Sequence, residues 1–221
     1  MKFKSRLAAA AIAVAFPLGA GAMPVLWEFS GHLDAVTGAV GIPIAAGDAF
    51  SIDVGFDTGA ALQNQLGGRY RYDPSSITFS IRIDGLGPFN SSFNPSAGGT
   101  FFLRNDAVPP DAGPPLVDGM SFGLNDFNDA GGLSSLSLVM RNGDTSIFSD
   151  GTLPSTPDPR LVTGYARSFQ FCSSSTNNPN SCDLAEVDGT LEAVQALPEP
   201  ASVALLAAGF AGVALTRRRK P

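Results

Sequence analysis

The chain has 221 residues, with 14 Lys and Arg against 20 Asp and Glu and a formal net charge of −6. Three of the basic residues lie in the first six positions and four in the last five, so residues 23–196 hold seven Arg, no Lys and 19 acidic side chains, a formal charge of −12. That balance excludes nucleic acid and anionic lipid as general partners, because both require an extended cationic surface. The length suits one domain with a good core and is short for two.

Lys2, Lys4 and Arg6 precede an apolar run over 7–18, and Ala20-Gly21-Ala22 follows as a small-x-small site. This is the pattern of a signal peptide over 1–22, removed by signal peptidase so that the mature chain starts at Met23. The remaining chain is then folded outside the cytoplasm.

Residues 25–33 alternate, with Val25, Trp27, Phe29 and Leu33 on one face and Glu28, Ser30, His32 and Asp34 on the other. Period two means a half-buried strand. Residues 50–56 repeat the pattern after the turn Ala46-Gly47-Asp48. Residues 57–68 read as loop, with a short irregular helix over 59–65 as the alternative. Tyr70 and Tyr72 then lead to a turn at Asp73-Pro74. Residues 77–83 are the clearest strand, with Ile77, Phe79, Ile81 and Ile83 inward, ended by Asp84-Gly85. Residues 87–99 read as a long Gly/Pro/Asn/Ser loop, 100–104 as a short strand and 107–115 as loop with four prolines, which a central strand does not hold. Further strands are expected at 120–124 and 136–140. Arg141-Asn142-Gly143-Asp144 reads as a hairpin turn into 145–148. A Pro-rich loop at 149–159 precedes strands over 165–171 and 186–195.

Cys172 and Cys182 are the only cysteines and flank a loop of turn-forming residues. In an exported compartment, such a pair reads as a disulfide. Eight to ten short strands joined by Gly/Pro/Asp-rich loops, with no internal repeat and no soluble helix, predict an all-β, antiparallel β-sandwich, jelly-roll-like or Ig-like.

No catalytic constellation is legible. His32 is the only histidine and sits among surface carboxylates on a strand face. One histidine builds neither a zinc-protease ligand set nor, without a Gly-x-Ser-x-Gly elbow, a hydrolase triad. A hydrolase using paired carboxylates stays open, since glycoside hydrolysis needs only two, but nothing singles out a pair. Asn125, Asp126, Asn128 and Asp129 cluster in a Gly-ended loop and offer the hard oxygen donors that suit Ca²⁺; Asp48, Asp53 and Asp57 form a weaker group. Against this stands the reading of Asx-rich turns, whose side chains cap their own backbone. Tyr70 and Tyr72 are candidates to stack on sugar rings, making a calcium- or carbohydrate-binding module the alternative to a non-enzymatic surface protein.

The tail runs Leu197-Pro198-Glu199-Pro200, then an uncharged stretch over 201–216, then Arg217-Arg218-Arg219-Lys220-Pro221. The sixteen apolar residues would span about 24 Å as a helix, slightly short of a bilayer core of about 30 Å. They predict a single transmembrane helix with the basic end cytoplasmic. Residues 197–221 as a whole resemble the PEP-CTERM sorting signal: a Pro-Glu-Pro triplet, one hydrophobic helix and an Arg-rich terminus. The resemblance implies a Gram-negative exported protein, recognised by an exosortase through Pro198, Glu199 and Pro200, with Arg217, Arg218 and Arg219 as the basic stop. It further implies an inner-membrane-anchored precursor with its domain in the periplasm, later displayed or released at the surface beside exopolysaccharide.

Overall fold

The computed structural model describes residues 24–92, 98–109, 115–125, 135–173 and 184–198. Among them run eleven strands: β1 (Pro24–Gly38), β2 (Ala49–Asp57), β3 (Leu62–Leu66), β4 (Arg69–Tyr72), β5 (Thr78–Ile83), β6 (Leu86–Ser92), β7 (Gly99–Ala107), β8 (Val117–Leu124), β9 (Ser135–Asn142), β10 (Ala166–Ser173) and β11 (Ala185–Ala196). All pair antiparallel in one sheet, in the order β3-β4-β7-β8-β9-β10-β11-β1-β2-β5-β6.

The expected two-sheet sandwich is therefore corrected to a single curled sheet, a half-barrel whose edges are β3 and β6. Alternation places a residue inward or outward, but it does not say whether neighbouring strands stay hydrogen-bonded around a bend. Here they do, because the central strands are long and bulged. β1 shifts register against β11 between Ser30 and Gly31 and again between Leu33 and Ala35. Each bulge bends the strand and increases its twist, so the sheet turns a corner without breaking.

The inward faces meet across the curl. Phe56 of β2 lies 5.4 Å from Phe101 of β7 and 5.5 Å from Phe122 of β8, ring centre to ring centre, although four strands separate β2 from β8 in the sheet. Trp27 packs edge-on to Phe56 at 5.0 Å, and Phe50 meets Phe169 at 4.7 Å. Such ring pairs each add about 0.5–1.5 kcal/mol beyond the apolar area they bury. The aromatic residues of the alternating strands thus form one core.

Residues 143–165, between β9 and β10, pack over one end of this trough. Phe148, Leu153, Leu161 and Val162 are buried. Trp27 Nε1 donates to the Ser155 carbonyl (3.3 Å) and Asn142 Nδ2 to the Arg160 carbonyl (2.7 Å). Asp118, fully buried at the same end, accepts from the amides of Asp106 (2.9 Å) and Phe148 (2.8 Å). Its burial pushes the carboxyl pKa up. On the surface of the segment Arg160 binds Asp144 (2.7 Å), Asp158 (2.6 Å) and Ser146 (2.8 Å). The Ser146 hydroxyl and amide, followed by Arg160, hold the Asp144 carboxyl down to about 2. The strand expected over 145–148 is turn, and no hairpin forms at Arg141–Asp144, because Asn142 belongs to β9 and pairs with Asp118. Residues 62–66 are strand β3 rather than loop or short helix, and 86–92 are strand β6 rather than loop.

The start of β1 and the end of β11 lie side by side: Trp27 pairs with Ala196, and the Leu197 amide donates to the Leu26 carbonyl at 2.8 Å. Among the described residues no helix is long and apolar enough to cross a membrane, and 201–216 lie outside them. The expected transmembrane helix and the inner-membrane-anchored precursor built on it therefore find no support among the described residues, and neither is carried forward. Cys172 is buried, its Sγ 3.1 Å from Ser135 Oγ, and is not a free thiol. Cys172 is disulfide-bonded, and Cys182, the only other cysteine of the sequence, lies outside the described residues.

Candidate functional site

The outer face of the sheet carries two charged regions of opposite sign. The first is built by β4 and β7. The run Arg69-Tyr70-Arg71-Tyr72 alternates, so one face takes both arginines and the other both tyrosines. Across the pairing, Arg71 stands opposite Phe102 and Arg69 opposite Arg104. The Arg69 guanidinium lies 4.0 Å from the centre of the Phe102 ring, and those of Arg71 and Arg104 each 5.9 Å. Arg104 is buried and donates to Ser121 Oγ at 3.2 Å. Arg69 and Arg71 are exposed and pair with no carboxylate among the described residues. Asn64 and Leu66 of β3 join Arg69, Arg71 and Phe102 around a shallow hollow of about 220 Å³.

A guanidinium stacked on a ring gains about 0.5–1 kcal/mol at an exposed site. Stacking also fixes its plane, leaving the N–H fork to meet a carboxylate, sulfate or phosphate two bonds at a time. The sequence reading missed this group because it averaged charge over the domain. The alternation Arg-Tyr-Arg-Tyr was the signal that could have revealed it, since period two puts both cations on one side.

The second region is the outer face of β10, β11 and β1, where the carboxylates are answered from within. His32 bridges two of them, with Nε2 3.2 Å from Asp34 and Nδ1 3.0 Å from Glu192. Thr190 Oγ1 donates to Asp34 (2.7 Å), Gln195 to Glu28 (2.8 Å) and Gln170 to Glu186 (2.6 Å). Asp188 is pushed up by burial and by the neighbouring Glu186 charge. No nucleophile is placed against His32 by any of these contacts.

The other residues singled out from sequence are dispersed. Tyr72 is buried beside Phe101 at 5.5 Å. Tyr70 is half-buried against Gly151, so closely that a Cβ there would lie 2.2 Å from its ring. The ring on the ligand-accessible side of these strands is thus Phe102. Asp48 accepts from the Ala45 amide (2.7 Å), Asp57 from the Gly59 amide (2.8 Å), and Asp53 from Arg82 (3.3 Å), three separate turns and pairs. Asn125 follows β8; Asp126, Asn128 and Asp129 lie outside the described residues. Among the described residues no group of three or more His, Cys, Asp or Glu is placed to hold a metal ion. Pro198 follows the end of β11, whereas Glu199, Pro200, Arg217, Arg218 and Arg219 lie outside the described residues.

Comparison with known proteins bears on that terminus. The model of the PEP-CTERM protein-sorting motif matches residues 196–220. The chain therefore carries this motif near its C-terminus, consistent with an exosortase substrate. No curated protein and no solved structure matches the chain.

Proposed function

We propose that this exported, PEP-CTERM-bearing protein is a non-enzymatic surface component. In this reading it associates with an anionic exopolysaccharide through Arg69, Arg71 and Phe102. The observation that carries it is the pair of exposed guanidiniums gathered on one ring with no carboxylate partner among the described residues. Like charges held together in a domain of charge −12 repel one another unless an anion from outside joins them. A uronic acid carboxylate fits the fork of either arginine, and the ring gives a sugar an apolar face to rest on.

Binding of the full chain to a polyuronate, with neutral dextran as control, tests it by calorimetry. Wild type is expected to bind polyuronate and not dextran at about 0.1 M salt. Arg69→Glu with Arg71→Glu removes two charge-assisted contacts of about 1.5–3 kcal/mol each and is expected to weaken binding at least 100-fold. A double variant that binds as wild type does overturns the assignment, as does a wild type that ignores polyuronate.

A further inference from the structure

On the other half of the sheet, the outer face of β1, β2, β5 and β6 forms a hollow of about 460 Å³ lined by Leu26, Asp53, Thr78, Ser80 and Asn90 among others. Its chemistry differs from that of the arginine face. Gly55 leaves room between two of the lining residues: a Cβ at this position would lie 2.4 Å from Thr78 Oγ1 and 3.7 Å from Leu26 Cδ1. One wall is the apolar Leu26. The rest of the rim supplies three hydroxyls (Thr78, Ser80 and Ser91), an amide and one carboxylate. That carboxylate is incompletely used: Asp53 Oδ2 meets Arg82 Nη1 at 3.3 Å, while Oδ1 is buried without a hydrogen-bond partner among the described residues. Oδ1 is closed to solvent, so a ligand hydroxyl meets this carboxylate at Oδ2, where the Arg82 contact uses only one of the oxygen's lone pairs.

We propose that this hollow binds one neutral pyranose ring. Leu26 takes the C–H face of the sugar, Asp53 accepts from a ring hydroxyl, and Thr78, Ser80 and Asn90 complete the hydrogen bonds. An anionic sugar is disfavoured, because Asp53 stands directly across the β1–β2 ladder from Glu28 and both carry negative charge. A cation is disfavoured too, since no third carboxylate joins them among the described residues. The volume falls in the range of small-molecule sites and admits a single ring. The site is separate from Arg69, Arg71 and Phe102, so the two assignments stand or fall independently.

Saturation-transfer NMR of the full chain with the methyl pyranosides of glucose, galactose, mannose and N-acetylglucosamine tests the proposal. At least one is expected to receive saturation from wild type. Asn90→Leu, at an exposed position that leaves the fold intact, is expected to reduce the signal at least tenfold, as is Ser80→Val. Arg69→Glu with Arg71→Glu is expected to leave it unchanged, and Asn90→Leu is expected to leave polyuronate binding unchanged. The proposal is overturned if no pyranoside receives saturation, if both rim variants retain it, or if the arginine variant abolishes it.

Discussion

The arginine face on β4 and β7 and the acidic face on β10, β11 and β1 are made by the same device: alternating strands whose outward residues are charged. They differ in what answers the charge. On the acidic face His32, Thr190, Gln195 and Gln170 supply donors to Asp34, Glu192, Glu28 and Glu186. The region is closed on itself and asks nothing of a partner. On the arginine face Phe102 orders the cations but neutralises none of them. A charge whose partner is internal contributes to the fold, whereas one ordered without a partner is available to a ligand. The domain's net charge of −12 predicts the first face and conceals the second.

Both faces rest on one sheet, and the largest effect comes from breaking what closes its trough. Asp118→Ala leaves the part-buried amide of Asp106 and the buried amide of Phe148 without an acceptor. At about 1–3 kcal/mol for each unsatisfied group, urea unfolding is expected to show a loss of about 2–5 kcal/mol, and both faces should fail together. The pH dependence of this group has a definite sign. Burial raises its pKa in the folded state, so between the ordinary value of 3.8 and the raised one the folded chain holds the proton more often than the unfolded chain. The contribution of Asp118 is thus greatest below that window and falls as pH rises through it. Asp118→Asn should remove this slope.

Arg160→Gln loosens the same segment from outside and should do less. Asp144 is lowered to about 2 and Asp158 is also lowered. Carboxylates depressed in the folded state stabilise it above their unfolded pKa and lose that effect as pH falls toward the folded value. Acid unfolding followed by circular dichroism should therefore be less steep in the variant between about pH 4 and 2. Polyuronate binding at neutral pH should not change, since none of these groups belongs to the arginine face. A change in binding would mean that 143–165 shapes the face after all.

Strand positions were legible in the sequence wherever one side of a strand faced the core. Residues 25–33, 50–56 and 77–83 alternate cleanly because each buries every second side chain. β3 was missed because all five of its residues, Leu-Gln-Asn-Gln-Leu, are exposed; an edge strand without a buried face has no period to read. β6 was missed because Gly87 and Pro88 mimic loop composition. The curl was illegible for another reason. It depends on contacts such as Phe56 with Phe122, which lie far apart in the chain, and on bulges that alternation does not reveal. The arginine face needed both kinds of information: the period of Arg69 and Arg71, which the sequence holds, and the arrival of Phe102 beside them, which only the β4–β7 pairing provides.

Salt should separate the two faces by a few-fold change in affinity. At about 0.01 M salt the screening length is about 30 Å, and an approaching polyanion feels the acidic face as well as the arginines. At about 0.1 M it is about 10 Å, and only the nearby guanidiniums count. At about 1 M it is about 3 Å, and even those contacts weaken. Polyuronate affinity should therefore pass through a maximum near 0.1 M instead of falling steadily. Replacing Glu28, Glu186 and Glu192 with Gln should raise affinity at the lowest salt and move the maximum down. A steady decline with salt in wild type would show that the acidic face does not oppose binding, and that the contrast between the faces has no long-range consequence.

The smallest effect is expected at the one residue that looked most like chemistry. His32→Gln removes the bridge between Asp34 and Glu192, yet His32 and both carboxylates are 44–56% exposed. Exposed ion pairs contribute about 0–1 kcal/mol, because water and side-chain entropy offset most of the attraction. Thr190 also remains as a donor to Asp34. Urea unfolding should shift by less than about 1 kcal/mol, and polyuronate binding at 0.1 M salt should match wild type. This variant bears most directly on the functional reading, because a non-enzymatic surface protein has no use for the imidazole as a base. If His32→Gln abolished a hydrolytic activity toward the polysaccharide while leaving stability and binding intact, the acidic face would be the working one, and the arginines would serve only to hold its substrate.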